Sequence, residues 1–391
     1  MAGSKSWVVT DVQRSRWEES RFLGHDDLQV PDCTVSKRTL RGGLCDGVDI
    51  IEVNNGELSF SVLPTRGMGI GRASYRGVDI GWKSPVKGPV HPKFVNAVDR
   101  GGLGWLQGFD ELLCRCGLES NGAPGEDVII DNNGNEARVL LTLHGKIANL
   151  PAHYVEIQSD PETQTVSVIG HVDESAIFLP GLRLKTKIST SPVSNRISIV
   201  DEIENLRSTP AELELLYHWN FGQPFLDKGS RLLAPVKEVA PRATEPGAGW
   251  DVYEGPTSGW VEQVYFFELL GNDRGDSLAS LRNGAGDHAV TLRFNTNQLP
   301  RFTQWKNTGA VKDSYVTGIE PGTNYPNVKR FERDKGRVVR IDPGKSYVVA
   351  SSMEAAITKE DVAKIQGEVD ALQKRQAPVV HPKAIAKYSP V

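Results

Sequence analysis

Apolar and polar residues alternate with period two in segment after segment of this chain. In Leu58-Ser59-Phe60-Ser61-Val62 the apolar side chains all fall on one side. Residues 164–172, 182–188 and 196–203 repeat the pattern. Successive side chains of a strand point to opposite faces, so each segment predicts a strand with one buried face. Further strands are expected over 138–143 and 346–353. Little helical periodicity separates them, which favours antiparallel pairing over crossover units. Glycine (39) and proline (23) punctuate the segments, as turns require.

One helix stands out. Thr358 can cap its start, with Asp361 three residues later as a capping-box partner. Val362, Ile365, Val369 and Leu372 then recur at helical spacing. The helix follows the last strand, so it is expected to pack outside the strands, with 376–391 loosely ordered. Residues 85–135 are long, Gly-rich and weakly periodic. They hold Trp105, Phe109, Asp110, Glu111 and Asn121, which marks a functional loop rather than simple disorder.

Composition narrows the function. In 391 residues, 45 Lys+Arg face 49 Asp+Glu, a formal charge of -4 with no long basic block. Nucleic acid and anionic membranes are therefore poor partners. No stretch nears the roughly 18–20 apolar residues of a membrane span. The first 17 residues carry Lys5, Asp11, Arg14 and Arg16 and have no apolar core, so a secretory signal is not expected and the protein reads as cytoplasmic. Cys114 and Cys116 form a C-x-C without a second pair, so a zinc ribbon lacks its other half. With Cys33 and Cys45 they are expected to be reduced thiols.

Titratable groups inside apolar strands are the candidates for chemistry. His144 lies in Leu143-His144-Gly145-Lys146. Around His218, alternation sets Leu213, Leu215, Tyr217 and Trp219 on one face and Leu216, His218 and Asn220 on the other. Glu320 points opposite to Ile319, and a charged, unpaired carboxylate there costs several kcal/mol, so it is partnered or lines a pocket. Arg66, in Pro64-Thr65-Arg66-Gly67, offers a fork of N–H donors to a sugar hydroxyl. Trp305 and Lys306, in Gln304-Trp305-Lys306-Asn307, suit a sugar that stacks on a ring and hydrogen-bonds beside it, although a core tryptophan is the commoner reading of such a ring. Asp110 and Glu111 are read either as hydroxyl-reading groups or as a solvated loop.

Taken in order, Arg66, His144, His218 and Glu320 on an all-β background resemble the aldose 1-epimerase (galactose mutarotase) superfamily, in a bacterial aldose-1-epimerase-like branch. The resemblance spans roughly residues 45–355. Leu143-His144-Gly145 resembles a Leu-His-Gly-Gly motif, with Lys146 in place of the second glycine. Tyr217-His218-Trp219-Asn220-Phe221 resembles an Asn-His-Ser-Tyr-Phe-Asn strand. Glu320-Pro321-Gly322 stands where the family has Glu-Thr-Gln, and Tyr325-Pro326-Asn327 lies near its Pro-Asp. The stretch 85–135 has no counterpart in the simple mutarotases.

The resemblance implies a large antiparallel β-sandwich over 44–356, binding sugar on a concave face, with an extension over 1–43 and a helix and tail over 357–391. It implies Glu320 as base and His218 as acid in opening the sugar ring, the anionic glutamate raising the histidine's pKa. Arg66, His144, Asn220, Trp305, Lys306, Asp110 and Glu111 would contact the substrate. No cofactor is required and a homodimer is compatible with it. Alternatives are an epimerase, isomerase or lyase acting on a modified sugar, or a non-catalytic sugar-binding module. A divalent metal on His144, His153, His218 and Glu320 lacks any tight ligand spacing.

Overall fold

The computed structural model describes residues 3–243 and 249–390. Two large sheets dominate it. The first has ten strands, in the spatial order Arg231–Leu233, Asp276–Arg282, Ala289–Asn295, Ser346–Ala356, Arg196–Asn205, Gly181–Thr190, Thr165–Ser175, Tyr154–Asp160, Lys5–Asp11 and Arg16–Trp17. The second has thirteen. Its centre runs Gln263–Leu269, Arg301–Thr308, Tyr315–Gly322, Leu216–Phe221, Leu113–Cys116, Gly69–Tyr75 and Leu58–Leu63. Neighbouring strands in both sheets pair antiparallel, except that Val379–Val380 lies parallel to Val236–Pro241.

The sheets face each other across one core. Val168, Leu184 and Ile199 from the first meet Phe60, Val62, Trp219 and Ile319 from the second. This is the expected sandwich. The alternating segments all form strands: 58–62 lies in Leu58–Leu63, 182–188 in Gly181–Thr190, and 196–203 in Arg196–Asn205. Their inward faces bury apolar side chains, which burial of one face predicts.

Three segments depart from expectation. The described part of the expected 1–43 extension, residues 3–43, is not an appendage: Lys5–Asp11 pairs with Tyr154–Asp160, and Ser20–Leu23 with Thr34–Thr39 closes one edge of the second sheet. Val9, Leu23, Leu28 and Val35 bury there, a gain too sparse in the sequence to show as alternation. The tail is held rather than loose. Val379–Val380 adds to a sheet, Tyr388 is fully buried, and its hydroxyl donates to Glu238 at 2.8 Å. The buried ring, with further bonds from Asn327 to the Tyr388 carbonyl and between His381 and Glu238, fixes a segment whose pattern looked featureless. Finally, 85–135 is not one loop. Short helical turns lead to the strand Leu113–Cys116, which lies between Gly69–Tyr75 and Leu216–Phe221.

The C-terminal helix spans Lys359–Gln373. Thr358 accepts from the Asp361 amide and donates to its carboxylate at 2.7 Å, a local cap of the expected kind. Val362, Ile365 and Val369 pack on Leu233, Leu278 and Ala289, in a cluster apart from the main core.

Candidate active site

Register places the two central groups. Leu216–Phe221 pairs antiparallel with Tyr315–Gly322, setting Trp219 against Ile319 and Asn220 against Gly318. The same register puts His218 directly opposite Glu320. Tyr217, Trp219 and Ile319 point into the core, so His218 and Glu320 share the other face. There His218 Nε2 lies 3.3 Å from Glu320 Oε1. Gly318 makes the room: a Cβ on it would lie 2.2 Å from Glu320 Oε1 and 3.0 Å from His218 Cε1. A glycine inside a strand marks such a close approach, and this signal was present in the sequence.

The hydrogen-bond network assigns the histidine tautomer. Asn220 Nδ2 donates to the carbonyls of Glu111 and His218, each at 3.0 Å. This turns Asn220 Oδ1 towards His218 Nδ1, 2.7 Å away. An amide oxygen only accepts, so Nδ1 carries the proton. Nε2 then faces Glu320.

Both groups are almost sealed, with His218 4% and Glu320 2% exposed. Phe109, Trp305 and Trp105 lie against the His218 ring, at centroid distances of 5.2, 5.7 and 6.0 Å. Burial holds the His218 pKa well below its ordinary value, and the nearby His144 adds to this. Burial likewise raises the Glu320 carboxyl well above the ordinary carboxylate range. Both forms that carry charge are penalised by desolvation. Both shifts favour a neutral imidazole beside a protonated carboxyl. This reverses the expected anionic glutamate beside a protonated histidine. At 3.3 Å the contact is close enough for proton exchange but not a well-aligned hydrogen bond, and Glu320 Oε1 has no other partner among the described residues.

His144 completes the group. Its ring lies 5.3 Å from that of His218 and 4.6 Å from Trp105. Burial lowers its pKa to about 4. Nδ1 donates to the backbone carbonyl of Asn121 at 2.8 Å. Cys114 and Cys116 also face this side, packed with Trp105, Phe109 and Leu216. They are free thiols, and burial raises both pKa values.

Four expected contacts take other positions. Arg66 is buried and its donors are engaged within the protein. Nε donates to Glu111 at 2.6 Å, and the remaining bonds go to Asn149 at 2.7 Å, the Gly108 carbonyl at 2.9 Å and the Val90 carbonyl at 3.2 Å. Its role is to anchor the 85–111 segment that carries Phe109 over His218. Glu111 serves the same end: besides Arg66 it accepts from the Asp110 amide and from Cys114 Sγ. Lys306 alternates with Trp305 on its strand and so faces the opposite side. It is buried, donating to the carbonyls of Gly249 and Val252 at 2.8 Å each. Asp110 lines a different cavity of about 930 Å³, with Trp82 and Tyr315, whose wall includes neither His218 nor Glu320. Burial and the adjacent Glu111 raise its carboxyl to about 8.

Trp305 does face the site, and its indole donates to Glu262 at 2.8 Å. His153 lies elsewhere, bonded to Asp173 at 3.0 Å. Among the described residues, no group of three or more His, Cys, Asp or Glu side chains is arranged to hold a metal ion. Phe109 and Trp105 were visible as specific residues of a long loop, but no local pattern tied them to His218.

Comparison with known proteins places the chain in a family. The family model described as "Domain of unknown function (DUF4432)" matches residues 45–355. A protein from Klebsiella pneumoniae described as a "putative aldose 1-epimerase" is 34% identical, covering 98% of this chain and 100% of its own, with a TM-score of 0.91. A galactose mutarotase-like protein from Clostridium acetobutylicum shares the fold at 16% identity, covering 84% of this chain and 99% of its own, with a TM-score of 0.56. A GalM/aldose epimerase homologue from C. elegans does so at 13% identity, covering 80% and 100%, with a TM-score of 0.51. No functionally curated protein matches the sequence. The chain thus belongs to the DUF4432 family, a branch of the aldose 1-epimerase (galactose mutarotase) superfamily.

Proposed function

We propose that this protein is a sugar epimerase of the aldose 1-epimerase type, with His218 and Glu320 as its acid/base pair. The observation that carries the reading is the pair itself: two titratable groups 3.3 Å apart, buried in an aromatic pocket. Apart from the proton that His218 Nδ1 donates to Asn220, they share one proton between Nε2 and the carboxyl. Mutarotation needs one group to take the anomeric hydroxyl proton and one to protonate the ring oxygen as the C1–O5 bond breaks. The open aldehyde turns about C1–C2 and recloses, returning both protons. A pair with one shared proton begins and ends the cycle in the same state, as such a reaction requires. In the resting distribution Glu320 is the donor and the bare Nε2 of His218 the acceptor. Each positioned group contributes roughly 10²- to 10⁴-fold.

Asn220 fixes the His218 tautomer, and His144 and Trp305 supply an acceptor and a stacking face for the sugar. A substrate reaches the pair once Phe109 or Trp305 moves aside, since both rings lie against His218. Fold alone does not set the reaction. Anomeric exchange followed by proton NMR over free aldoses, uronic acids and deoxysugars, with wild type beside Glu320→Gln, tests it. Acceleration for one sugar, lost in the variant, supports the reading. Folded protein that accelerates none refutes it, and turns attention to a modified-sugar enzyme or a binding module.

A further inference from the structure

A buried polar cluster lies at the back of His144, on three separate segments. Asn324 Nδ2 donates to Glu214 Oε1 at 2.9 Å and to Asn121 Oδ1 at 3.1 Å. Asn121 Nδ2 returns a bond to Asn324 Oδ1 at 2.8 Å. Glu214 Oε2 accepts the Asn121 amide at 3.1 Å. The Asn121 carbonyl accepts from His144 Nδ1. Glu214, Asn121 and Asn324 are all fully buried.

The placement follows the site's own register. Glu214 precedes His218 by four residues, and Asn324 follows Glu320 by four. The pairing that sets His218 opposite Glu320 therefore brings Glu214 opposite Asn324 where the two strands end. The cluster thus ties both reacting strands to the turn that carries His144. That turn is specialised. His144 has φ +58°, uncommon for a non-glycine residue. Its amide donates to the Gly122 carbonyl and its carbonyl accepts from Gly117. A Cβ on Gly145 would lie 2.0 Å from the Ser120 carbonyl.

A backbone carbonyl only accepts, so His144 Nδ1 carries the proton and Nε2 is bare. His144 is half-buried, unlike His218. We propose that Glu214, Asn121 and Asn324 are positioning residues that hold His144 as its Nδ1-protonated tautomer, so that Nε2 accepts a sugar hydroxyl beside His218. The proposal rests on His218 and Glu320 being the reacting pair, but the tautomer is measurable without any reaction.

The test is nitrogen-15 NMR of the histidine rings in the full chain, with His144 identified by its loss in His144→Gln. Wild type is expected to show a proton on Nδ1 and none on Nε2. Asn324→Asp replaces a donor to Glu214 with an acceptor. It is expected to blur this signature and to lower kcat/KM for the accepted sugar about tenfold, as the loss of one or two buried hydrogen bonds does. Glu214→Gln should do the same. Combining Glu214→Gln with Asn324→Asp restores a donor facing an acceptor between these two side chains in the reverse sense, while the bond from position 324 to Asn121 Oδ1 stays lost. It should bring both readouts part of the way back to wild type, above Asn324→Asp alone, which mere damage to the fold would not do.

A wild-type His144 that carries its proton on Nε2 overturns the proposal. So does an Asn324→Asp protein unchanged in both readouts, or a double variant no better than the single. If neither single variant folds, the wild-type spectrum still decides. If wild type accelerates no sugar, the enzymatic reading fails while the ring spectrum still judges the positioning claim.

Discussion

Two neighbouring residues, Tyr217 and His218, open onto opposite faces of the same strand and onto two kinds of buried ionisable pair. On the inner face Arg115 and Asp201 are both wholly buried between the sheets. Arg115 donates twice to Asp201, at 2.6 and 3.0 Å, and also to Thr186 and the Met68 carbonyl, while Tyr217 donates to Asp201 at 2.7 Å. Burial works against the Arg115 charge, but the Asp201 carboxylate outweighs it and the pKa ends up raised. On the outer face His218 and Glu320 are as deeply buried, yet share one long contact. There burial prevails and both charges are given up. The difference lies in satisfaction, not depth. Desolvated charges persist where several hydrogen bonds hold them, and neutralise where they do not. Arg66–Glu111 lies on the outer face yet belongs with the saturated kind, which is why it anchors a segment instead of meeting a sugar.

The largest expected effect separates the pairs by function. Glu320→Gln keeps shape and removes the shared proton, so anomeric exchange should fall roughly 10²- to 10⁴-fold while the protein stays folded. A variant with full activity would place Glu320 among the structural groups. Next is Asp201→Ala, which leaves Arg115 charged between the sheets with no carboxylate, still bonded to Thr186 and the Met68 carbonyl. It should cost about 3–5 kcal/mol in urea unfolding. A loss below about 1 kcal/mol would mean that the inner pair is no better compensated than the outer one. Lys306→Met extends the test to a third buried charge. It deserts two carbonyls and the Glu254 carboxylate 3.3 Å away, and should lose about 1–3 kcal/mol of stability, with exchange rates within about twofold of wild type.

The same contrast explains what the sequence could reveal. Alternation exposed the strands because it records one buried face, and it correctly split Tyr217 from His218 and Ile319 from Glu320. It exposed the pair as polar groups in apolar surroundings. Burial of a charged residue looks alike in a sequence whether its partners number one or five, so Arg66, Glu111 and Lys306 read as ligands of a sugar. Their partners lie up to 83 residues away, as Asn149 does from Arg66. The expected protonation failed for a related reason: it counted the neighbouring charge and not the desolvation that the aromatic cover imposes. Glu214 and Asn324 carry no local signal, since they meet only through the register of their strands.

The subtlest effect is on stability against pH. In the unfolded chain Glu320 loses its proton near its ordinary pKa, while the folded carboxyl keeps it. The unfolded state then binds fewer protons, so stability falls as pH rises above that value. His218 acts in the other direction. Unfolded, it takes a proton below its ordinary value of 6.5, which the folded ring refuses, so stability falls as pH drops below 6.5. From roughly pH 4.5 to 6.5 the two slopes oppose each other. Above 6.5 only the glutamate slope remains, up to about 1.4 kcal/mol per pH unit. Wild type should therefore lose stability relative to Glu320→Gln as pH rises above 4.5, read by urea unfolding at each pH. A flat difference would mean that the pair releases its proton as an exposed pair does. Such a curve counts the protons held by a coupled pair without assigning them. The ring nitrogens of His218 then locate the proton: a bare Nε2 at pH 7 leaves it on Glu320, and a protonated one turns the outer pair into a charged pair like the inner one.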